Sequence, residues 1–430
     1  MAGTLRARPF RTGAAYVRSL DCMICGEAYP PEEAEYVCPK HGHEGILDVT
    51  YDYARMAEEV SREEIAASRN ATMWRYRPLL PIPAGTEVPP LRVGWTPLYR
   101  ADRLARDLGL RHVWIKDDGQ QPTASLKDRA SAMAVVQARA RRAEVITTAS
   151  SGNAAAALSG LCASVGQPNV IFVPEAAPPA KIAQVLAFGS TVMLVEGTYD
   201  EAFELCLRFA ERYGWYNRNT GFNPYMSEGK KTVSYEICEQ LGWEAPDAVV
   251  VSVGDGCILG GVHKGFHDLY EMGWIGNVPR LIGVQAQGSA YLAEAWAHNE
   301  EVATKPPIPA HTVADSINVG LPRDRMKAMR AVRATDGGFV TVLDQAILEM
   351  IPHVARLSGV FAEPAGATAF AGLHEALRRR LVAPDERVVV LNTGNGLKDI
   401  TGVQRALVAA HRQPLRIAPD AESMPEMVGN

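Results

Sequence analysis

The sequence contains neither a long apolar segment nor an excess of positive charge. No run of apolar residues in the 430-residue chain approaches the ~18 that a membrane-spanning helix requires. Lysine and arginine number 44 against 49 aspartate and glutamate residues, so the formal net charge is −5. Proteins that bind nucleic acid by neutralising phosphates usually carry a basic excess. We therefore expect neither a membrane nor a nucleic acid as a partner.

An apolar secretory core is also missing from the amino terminus, and cysteine is scarce. The first residues carry Arg6, Arg8, Arg11 and Arg18 without such a core. We interpret them as a short basic arm, with an organelle-targeting peptide as the alternative. The seven cysteines are an odd number, and three of them cluster near the amino terminus. This pattern disfavours a disulfide framework and favours a reducing compartment, so we expect a cytoplasmic protein.

The sequence does contain alternating strand-like and helix-like segments. The predicted strands, rich in β-branched residues, are residues 112–116, 144–148, 169–173, 191–195, 248–253, 281–285 and 387–392. The predicted amphipathic helices include residues 153–165, 179–188, 200–213 and 231–241. Such alternation is typical of parallel sheets covered by helices on both faces. The predicted fold class is therefore α/β.

A cluster of cysteine and histidine near the amino terminus has the spacing of a metal site. The candidate ligands are Cys22, Cys25, Cys38 and His41. Three thiolates and one imidazole suit tetrahedral zinc, and four protein ligands leave no position open for a substrate. The predicted metal is therefore structural. His43 is an alternative fourth ligand, and free thiols beside an unrelated histidine are the alternative interpretation of the whole cluster.

One lysine stands out because it precedes an alanine-rich helix. The segment PTASLKDR, at residues 122–129, places Lys127 between a polar turn and a helix predicted from about residue 130 to 142. The positive end of the helix dipole and the neighbouring Arg129 both favour a neutral amine. A neutral lysine can form a Schiff base with an aldehyde, which is how pyridoxal phosphate is held in proteins. The same pattern also occurs at solvated surface lysines.

Three predicted loops leave strands at the edge where α/β sheets bind ligands. Residues 148–153, TASSGN, open a helix whose backbone N–H groups suit a carboxylate, although Asn153 is also a candidate helix cap. Residues 253–261, VGDGCILGG, form a glycine turn that suits a phosphate or is simply a tight turn. Residues 391–399, LNTGNGLKD, contain Thr393, a hydroxyl that could donate to a pyridine nitrogen; the alternative is an ordinary glycine turn capped by Lys398.

The glycine turn lacks the dinucleotide fingerprint. Three residues separate Gly256 from Gly260, so the G-x-G-x-x-G spacing is absent. A dinucleotide site also needs an acidic residue at the end of the next strand to bind the ribose. The candidate, Glu271, lies inside the next helical stretch instead. We therefore favour a single phosphate group over a nicotinamide dinucleotide.

Taken in order, these segments resemble the fold type II pyridoxal-phosphate enzymes, and within them the threonine synthase group. The resemblance extends from about residue 94 to residue 409. Its motifs are WTPL at 95–98, KDD at 116–118, the lysine segment, SGN at 151–153, NPYMSEGKKT at 223–232, the glycine turn, EPA at 363–365 and TGNGLKD at 393–399. Several members of the group also carry a cysteine-rich head followed by YDY, which is present here at residues 51–53.

The resemblance implies a fold of two α/β subdomains with parallel or mixed sheets and a small zinc-knuckle-like module. We predict a cysteine-rich module at 1–50, a connector at 51–93, a part with the smaller subdomain at 94–245, the rest of the larger subdomain at 246–415, and a flexible tail at 416–430. Within the connector, residues 52–68 are predicted to be helical. The proline-rich run at 78–90 is predicted to be extended.

The resemblance also implies roles for individual residues. Lys127 would hold pyridoxal phosphate and shuttle protons, Asn153 would bind its phenolic oxygen, and Thr393 would bind its pyridine nitrogen. The residues that would hold its phosphate are Gly254, Asp255, Gly256, Cys257, Ile258 and Leu259. The residues that would hold the substrate carboxylate are Ser150, Ser151, Gly152 and Asn153. A small amino-acid substrate and a homodimer are implied as well.

Three departures from the threonine synthase pattern bear on the substrate. Ala124 replaces the usual glycine of the lysine segment, and Asn395 replaces a common histidine. Residues 154–157 are all alanine, where hydroxyl side chains usually help to hold the phosphate of O-phosphohomoserine. The candidates to compensate for this loss are Lys116, Arg129, Lys230 and Lys231.

Three functional hypotheses follow. The leading one is conversion of O-phosphohomoserine and water to threonine and phosphate. The alternative is β-elimination or β-replacement on serine, threonine or O-phosphoserine, as in a dehydratase or a cysteate or cysteine synthase. The third is a catalytically inactive, zinc-bearing scaffold, which the intact lysine and glycine turn disfavour.

Overall fold

The computed structural model describes residues 12–150, 152–175, 177 and 179–419. The strands are β1 Val17–Cys22, β2 Ala28–Tyr29, β3 Leu47–Tyr51, β4 Leu98–Arg100, β5 His112–Asp117, β6 Ile146–Ala149, β7 Asn169–Pro174, β8 Thr191–Val195, β9 Tyr216–Asn217, β10 Ala248–Ser252, β11 Arg280–Ala286, β12 Gly338–Val342 and β13 Arg387–Asn392. The α-helices are α1 Tyr53–Glu59, α2 Arg62–Ala66, α3 Asp102–Leu108, α4 Lys127–Ala140, α5 Asn153–Ala163, α6 Pro179–Ala187, α7 Tyr199–Tyr213, α8 Tyr225–Lys230, α9 Thr232–Gln240, α10 Cys257–Glu271, α11 Tyr291–Ala297, α12 Arg325–Ala334, α13 Asp344–Ser358, α14 Pro364–Arg378 and α15 Ile400–Ala409. None of the helices in these ranges is both long and apolar enough to cross a membrane.

The larger sheet has six strands in the order β12-β11-β10-β13-β5-β4. All neighbours are parallel except β4, which runs antiparallel to β5. The side chains of β10 alternate between the two faces of the sheet. Val249 and Val251 pack with α10 on one face, whereas Ala248 and Val250 pack with α14 on the other. Both faces are therefore buried, which explains the continuous apolar sequence of the strand.

The smaller sheet has four strands in the order β8-β7-β6-β9, and all its pairings are parallel. Helix α7 covers β6 and β7 with an apolar face that includes Phe203 and Leu207. A capping box between Thr198 and Glu201 fixes the start of α7, because each side chain satisfies a backbone N–H of the other. The two sheets confirm the predicted α/β fold with parallel and mixed sheets.

A three-stranded antiparallel sheet, β2-β1-β3, forms the amino-terminal part of the structure, residues 12–51, which we call the head. The head packs against helices of the body. The Tyr51 hydroxyl donates to Glu228 of α8, and the Lys264 ammonium of α10 donates to the carbonyl oxygen of Val49 at 2.5 Å. These contacts bury polar groups of β3 against α8 and α10.

The segment between the head and the larger sheet is more compact than predicted. The stretch at 52–68 forms two helices, because Val60 is extended (φ −115°, ψ 124°) and separates α1 from α2. Pro78 lies within a 3₁₀ helix, Met73–Leu79, and the following Leu80 and Ile82 are buried. The run predicted to be extended at 78–90 therefore begins in a helix, and residues 80–90 form neither helix nor strand. Its first residues, 79–82, belong to the core, whereas residues 84, 85, 87 and 90 are exposed.

Candidate active site

A cavity of about 500 Å³ lies where strands of both parallel sheets end. Thr148 and Ala149 of β6, Pro174 of β7 and Ser252 of β10 all line it. Ligands of α/β proteins bind at this edge, beyond the carboxyl ends of the strands. The predicted site residues that line the cavity are Lys127, Ser150, Gly152, Asn153, Gly254, Asp255, Gly256, Cys257, Ile258, Leu259 and Thr393. The remaining predicted residue, Ser151, lies outside the described residues.

Lys127 is the first residue of α4, so the helix begins about one turn earlier than predicted. The loop that follows β13 holds the turn before it. The backbone N–H of Leu126 donates to the carbonyl oxygen of Thr393, and that of Asn395 donates to the carbonyl oxygen of Ala124, each at 3.0 Å. These two hydrogen bonds fix Lys127 relative to Thr393, although the two residues are far apart in sequence.

Arg129 does not provide a free positive charge beside Lys127. Its guanidinium donates to Asp118 at 2.6 and 2.8 Å and to Glu236 at 2.5 and 2.8 Å, and all three side chains are fully buried. Arg129 was expected to place an uncompensated positive charge beside Lys127, but the carboxylates of Asp118 and Glu236 compensate that charge. Lys230 is a buried cation that does lie within electrostatic range of Lys127.

The glycine turn after β10 requires its glycines. Gly256 has a φ of +89°, and a Cβ atom there would lie 2.7 Å from the Cβ of Ala328. A Cβ atom on Gly254 would lie 2.8 Å from the Cα of Ile317. Helix α10 begins directly after the turn, so its first backbone N–H groups are available to an anion. The Asp255 carboxylate accepts the backbone N–H of Arg323 at 3.2 Å.

Asn153 is the first residue of α5 and does not cap that helix. The N-cap position is Gly152, and it makes no side-chain cap hydrogen bond. The Asn153 amide instead donates to the Glu363 carboxylate at 2.8 Å and to the Ser316 hydroxyl at 3.4 Å. The alternative interpretation of Asn153 as a helix cap is therefore wrong, and its amide lies on the cavity wall between α5 and α14.

Arg218 and Thr220, which follow β9, are among the cavity-lining residues that were not predicted from the sequence. Strand β9 contains only two residues, which is too short to be recognised from its composition. The rule that loops leaving parallel strands bind ligands would otherwise have identified both residues. The 3₁₀ helix Asp315–Ile317 also lines the cavity, and no sequence pattern indicates it.

The predicted metal ligands of the head lie together. The side-chain ligand atoms of Cys22, Cys25, Cys38 and His41 all lie within 4.8 Å of one another. The Nδ1 atom of His41 is 3.4 Å from the sulfur of Cys38 and 3.8 Å from that of Cys22. The ring of His43 instead packs edge-on against Phe222, with centroids 5.6 Å apart. Of the two histidines, His41 is the one whose ring approaches the thiols.

Two glycines give both halves of this cluster the same local geometry. Gly26 (φ +71°) donates its N–H to the carbonyl oxygen of Cys22, and Gly42 (φ +55°) donates to that of Cys38, each at 2.9 Å. A left-handed residue after each ligand pair turns the chain back on itself at low cost when that residue is glycine. The two equivalent turns converge on one small volume, as metal knuckles do.

The chain resembles known proteins over most of its length. It is 34% identical to "Threonine synthase" of Methanocaldococcus jannaschii, over 93% of this chain and 96% of that protein. It is likewise 34% identical to "Threonine synthase" of Methanosarcina acetivorans, over 88% of this chain and 92% of that protein. Among solved structures, the processed form of threonine deaminase isoform 2 from Solanum lycopersicum matches with a TM-score of 0.63 and 25% identity, over 73% of this chain and 88% of that chain.

The family comparison agrees with the cavity geometry. Residues 90–394 match the family described as "Pyridoxal-phosphate dependent enzyme". This span contains the larger and the smaller sheet, from β4 to β13, and every described residue of the predicted active site. The chain belongs to the pyridoxal-phosphate dependent enzyme family and has its type II fold.

Proposed function

We propose that this chain is a pyridoxal-phosphate-dependent lyase of the threonine synthase type, which converts O-phosphohomoserine and water to threonine and phosphate. The observation that carries the proposal is the convergence of Lys127, Asn153, the glycine turn and Thr393 on one cavity. The two relatives named threonine synthase support the same activity, because each matches most of this chain.

The residues that line the cavity fit pyridoxal phosphate. Lys127 offers an amine for its aldehyde, and Thr393 offers a hydroxyl for its ring nitrogen. The turn at Gly254 and Gly256 is packed too closely to accept side chains, and it presents the start of α10 to a phosphate. The Nη2 atom of Arg218 is buried in the cavity wall and has no hydrogen-bond partner among the described residues. A bound anion would accept a hydrogen bond from it.

Each residue then has a definite task. Bound pyridoxal phosphate supplies an electron sink that acidifies the proton on the substrate Cα. Lys127 would hold the cofactor through its amine and would serve as the base and the acid that move the proton at the substrate Cα. The neutral hydroxyl of Thr393 would lie at the ring nitrogen and would keep the sink weak, which suits elimination and replacement better than transamination. The Asn153 amide would bind the phenolic oxygen, and the backbone at Ser150 and Gly152 would bind the substrate carboxylate.

The second candidate function is β-elimination or β-replacement on serine, threonine or O-phosphoserine with the same cofactor. Ala154 favours this candidate, because it lines the cavity where the threonine synthase pattern has a hydroxyl side chain. Residues 155–157 are buried alanines and cannot supply the missing hydroxyl. The similar solved structure of a threonine deaminase is consistent with it.

Absorbance tests the cofactor. The purified protein, reconstituted with pyridoxal phosphate, should absorb near ~410–420 nm, and borohydride should shift the band. Lys127→Ala should abolish that behaviour, whereas the matched control Lys40→Ala should retain it, because Lys40 lies in the head and forms an exposed ion pair with Glu27 at 2.8 Å. A wild-type protein that stays colourless after reconstitution would exclude both candidate functions.

Product analysis separates the two candidates. Threonine and phosphate formed in equal amounts from O-phosphohomoserine support the threonine synthase activity. Ammonia and a 2-keto acid formed from serine or threonine, with no phosphate released from O-phosphohomoserine, would replace it by the second function. O-phosphoserine should be included with a nucleophile such as sulfide or sulfite, because a replacement reaction consumes one.

We also propose that the head binds a structural zinc ion through Cys22, Cys25, Cys38 and His41. The donor set of three sulfurs and one imidazole nitrogen, within 4.8 Å of one another, supports tetrahedral zinc. Metal analysis should find one zinc per chain in the wild type and in the control Cys162→Ala, whose cysteine is buried in α5. Cys22→Ser should lose the metal, and unchanged zinc in this variant would refute the site.

We further propose a cytoplasmic homodimer. None of the seven cysteines, all within the described residues, forms a disulfide, which supports a reducing compartment. The family resemblance supports the dimer. Light scattering coupled to size exclusion should give twice the chain mass of 46.6 kDa; a monomeric mass at micromolar concentration would contradict the dimer.

A further inference from the structure

Two buried basic residues have no carboxylate partner among the described residues: Arg218, which lines the cavity, and Lys230, which contacts the cavity-lining Thr220. Arg218 is 1% exposed and Lys230 is fully buried. Every other buried lysine and arginine in the described part of the chain forms an ion pair with an acid. Those pairs are Arg75 with Glu239, Lys116 with Glu236, Arg129 with Asp118, Lys231 with Glu228, Lys264 with Asp48, Arg325 with Glu44 and Lys327 with Asp48. Of the four candidates for phosphate recognition named from the sequence, only Lys230 therefore retains an uncompensated charge.

The two side chains converge on one threonine. The Arg218 guanidinium donates through Nη1 to the hydroxyl oxygen of Thr220 at 3.2 Å, and the Lys230 ammonium donates to the same oxygen at 3.4 Å. The Nε atom of Arg218 donates to Ser131 at 3.2 Å, which leaves Nη2 buried and without a partner. Because Arg218 and Thr220 both line the cavity, the unfilled donor lies in its wall.

The positive charges of Arg218 and Lys230 are unfavourable in the absence of a bound anion. Burial lowers the pKa of Arg218 to about 10 and that of Lys230 to about 8, and the positive charge of Arg218 lowers the pKa of Lys230 further. Acids act on them only at longer range: Asp128 and Asp255 on Arg218, and Asp324 on Lys230. The thiol of Cys257, at the start of α10, is within electrostatic range of both. A bound dianion would relieve this repulsion.

We propose that Arg218, Lys230 and Thr220 form a phosphoryl-binding subsite in the cavity wall. The ligand class is a phosphate monoester dianion, which an arginine and a lysine bind through charge-assisted hydrogen bonds. The inference rests on the proposed function in that the ester is bound in the same cavity as pyridoxal phosphate. Two esters share this chemistry, namely the cofactor and an O-phosphorylated substrate.

Local geometry favours the substrate as the source of the phosphoryl group. The glycine turn and the start of α10 already offer backbone donors to the cofactor phosphate. The alanines at 154–157 offer no hydroxyl to a second phosphate. Arg218, which follows β9, and Lys230, at the end of α8, would bind that phosphate instead. The substrate class is thus an amino acid with a phosphorylated side chain.

Orthophosphate binding to the cofactor-loaded protein tests the subsite without any turnover. Tryptophan fluorescence or calorimetry should give a dissociation constant that rises at least tenfold in Arg218→Gln and in Lys230→Gln. Arg218→Lys should restore part of the affinity, and the control Lys305→Gln should leave it unchanged, because Lys305 pairs with Glu300 away from the cavity. Both test variants should unfold at the wild-type temperature or above in phosphate-free buffer, since each removes an unpaired buried charge.

A second arm identifies the source of the phosphoryl group. Weaker orthophosphate binding with unchanged affinity for pyridoxal phosphate assigns the subsite to the substrate. A tenfold loss of affinity for pyridoxal phosphate in the same variants assigns it to the cofactor. Unchanged affinity for both ligands, or lower thermal stability in phosphate-free buffer, would overturn the subsite. Because no substrate is converted, these results stand even if the enzyme acts on a different amino acid than O-phosphohomoserine.

Discussion

At the scale of single residues, Ala124 is held in a backbone conformation that glycine adopts more readily than alanine. Its φ is +67°, in the left-handed region, where an alanine costs about 1–2 kcal/mol relative to its usual conformation. Two hydrogen bonds keep it there: its N–H donates to the carbonyl oxygen of Gln121 at 2.8 Å, and its own carbonyl oxygen accepts the N–H of Asn395 at 3.0 Å. The strain lies three residues before Lys127, in the turn that positions it.

Ala124→Gly should therefore stabilise the protein. Relief of the left-handed conformation outweighs the greater entropy of a glycine in the unfolded chain, which leaves a gain of about 0.5–1 kcal/mol in the free energy of unfolding. Urea unfolding of the apoprotein measures the change. The matched control is Ala130→Gly, in the interior of α4, which should lose about 1 kcal/mol because glycine is a poor helix former. A loss at position 124 as large as at position 130 would contradict the prediction.

Asp128, the next residue after Lys127, couples the stability of this turn to pH. Burial raises the pKa of its carboxyl to about 6, although Thr123 donates its N–H at 2.7 Å and its hydroxyl to the same group. Lys398 and Asp118 also act on it, in opposite directions. An unfolded aspartate has a pKa near ~3.9, so the folded state binds this proton more tightly than the unfolded state does.

Its contribution to stability should thus be present below about pH 4 and be lost as the pH rises towards 6. The full loss is about 3 kcal/mol for a shift of this size. Asp128→Asn cannot ionise, so the difference in unfolding free energy between variant and wild type should increase in favour of the variant from pH 4 to pH 6. Urea unfolding at several pH values measures it. A constant difference across that range would show that Asp128 does not titrate there.

At the scale of elements, the glycine turn joins β10 to α10 with no room for a side chain. Gly256→Ala should weaken the binding of pyridoxal phosphate by tenfold or more and lower the free energy of unfolding by about 1–3 kcal/mol. The reason is a positive φ combined with a Cβ contact of 2.7 Å to Ala328. Gly273→Ala is the matched control, because Gly273 also has a positive φ (+70°) but no atom within 4 Å of the added Cβ.

A spectroscopic titration with the cofactor, together with urea unfolding, separates the two effects. The control variant should lose stability through its backbone conformation alone and retain its affinity for the cofactor. Equal affinity in both variants would show that the turn does not approach the phosphate.

Elements whose sequence signal is local were predictable, and those defined by distant contacts were not. Lys127, Asn153, Gly254 and Thr393 stand at the ends of strands or starts of helices, and the parallel-sheet rule alone brings such loops together. Arg218 was missed because its strand, β9, exists only through pairing with β6.

Strand β12 was missed as well, although four of its five residues, GFVTV, are strand formers. The misassigned role of Arg129, like the omission of Arg218, comes from distant contacts. Its partners Asp118 and Glu236 come from segments on either side of it in sequence, and no local pattern reveals which acid a buried arginine selects.

At the scale of the whole molecule, the head is bound to the body through buried charge. Tyr51 donates its hydroxyl to Glu228, and its ring lies 4.2 Å from the ammonium of Lys231. That ammonium pairs with Glu228 at 2.6 Å and with Asp268 at 2.7 Å, in a region without solvent contact. The YDY segment, one of the motifs of the family resemblance, thus supplies a hydrogen-bond donor to an ion cluster made of Glu228 in α8, Lys231 between α8 and α9, and Asp268 in α10.

Tyr51→Phe should lower the free energy of unfolding by about 1–3 kcal/mol, because it removes one donor from a buried carboxylate and leaves the packing intact. Tyr270→Phe is the control, as Tyr270 is 47% exposed and should change stability by less than about 0.5 kcal/mol. Chemical denaturation of both variants, with zinc content measured in parallel, checks the expectation. Equal stability of the two variants would mean that the head contributes nothing through this contact.

The strand order of the larger sheet has a consequence for biosynthesis. Strand β13 lies between β10 and β5, so the two halves of the sheet stay unjoined until residues 387–392 have left the ribosome. The turn before Lys127 takes its partners from Thr393 and Asn395, which emerge later still. A nascent chain that already contains Lys127 therefore cannot present it correctly to pyridoxal phosphate. Cofactor capture becomes a late step of maturation, and ribosome-bound chains that end before residue 387 should remain colourless in its presence.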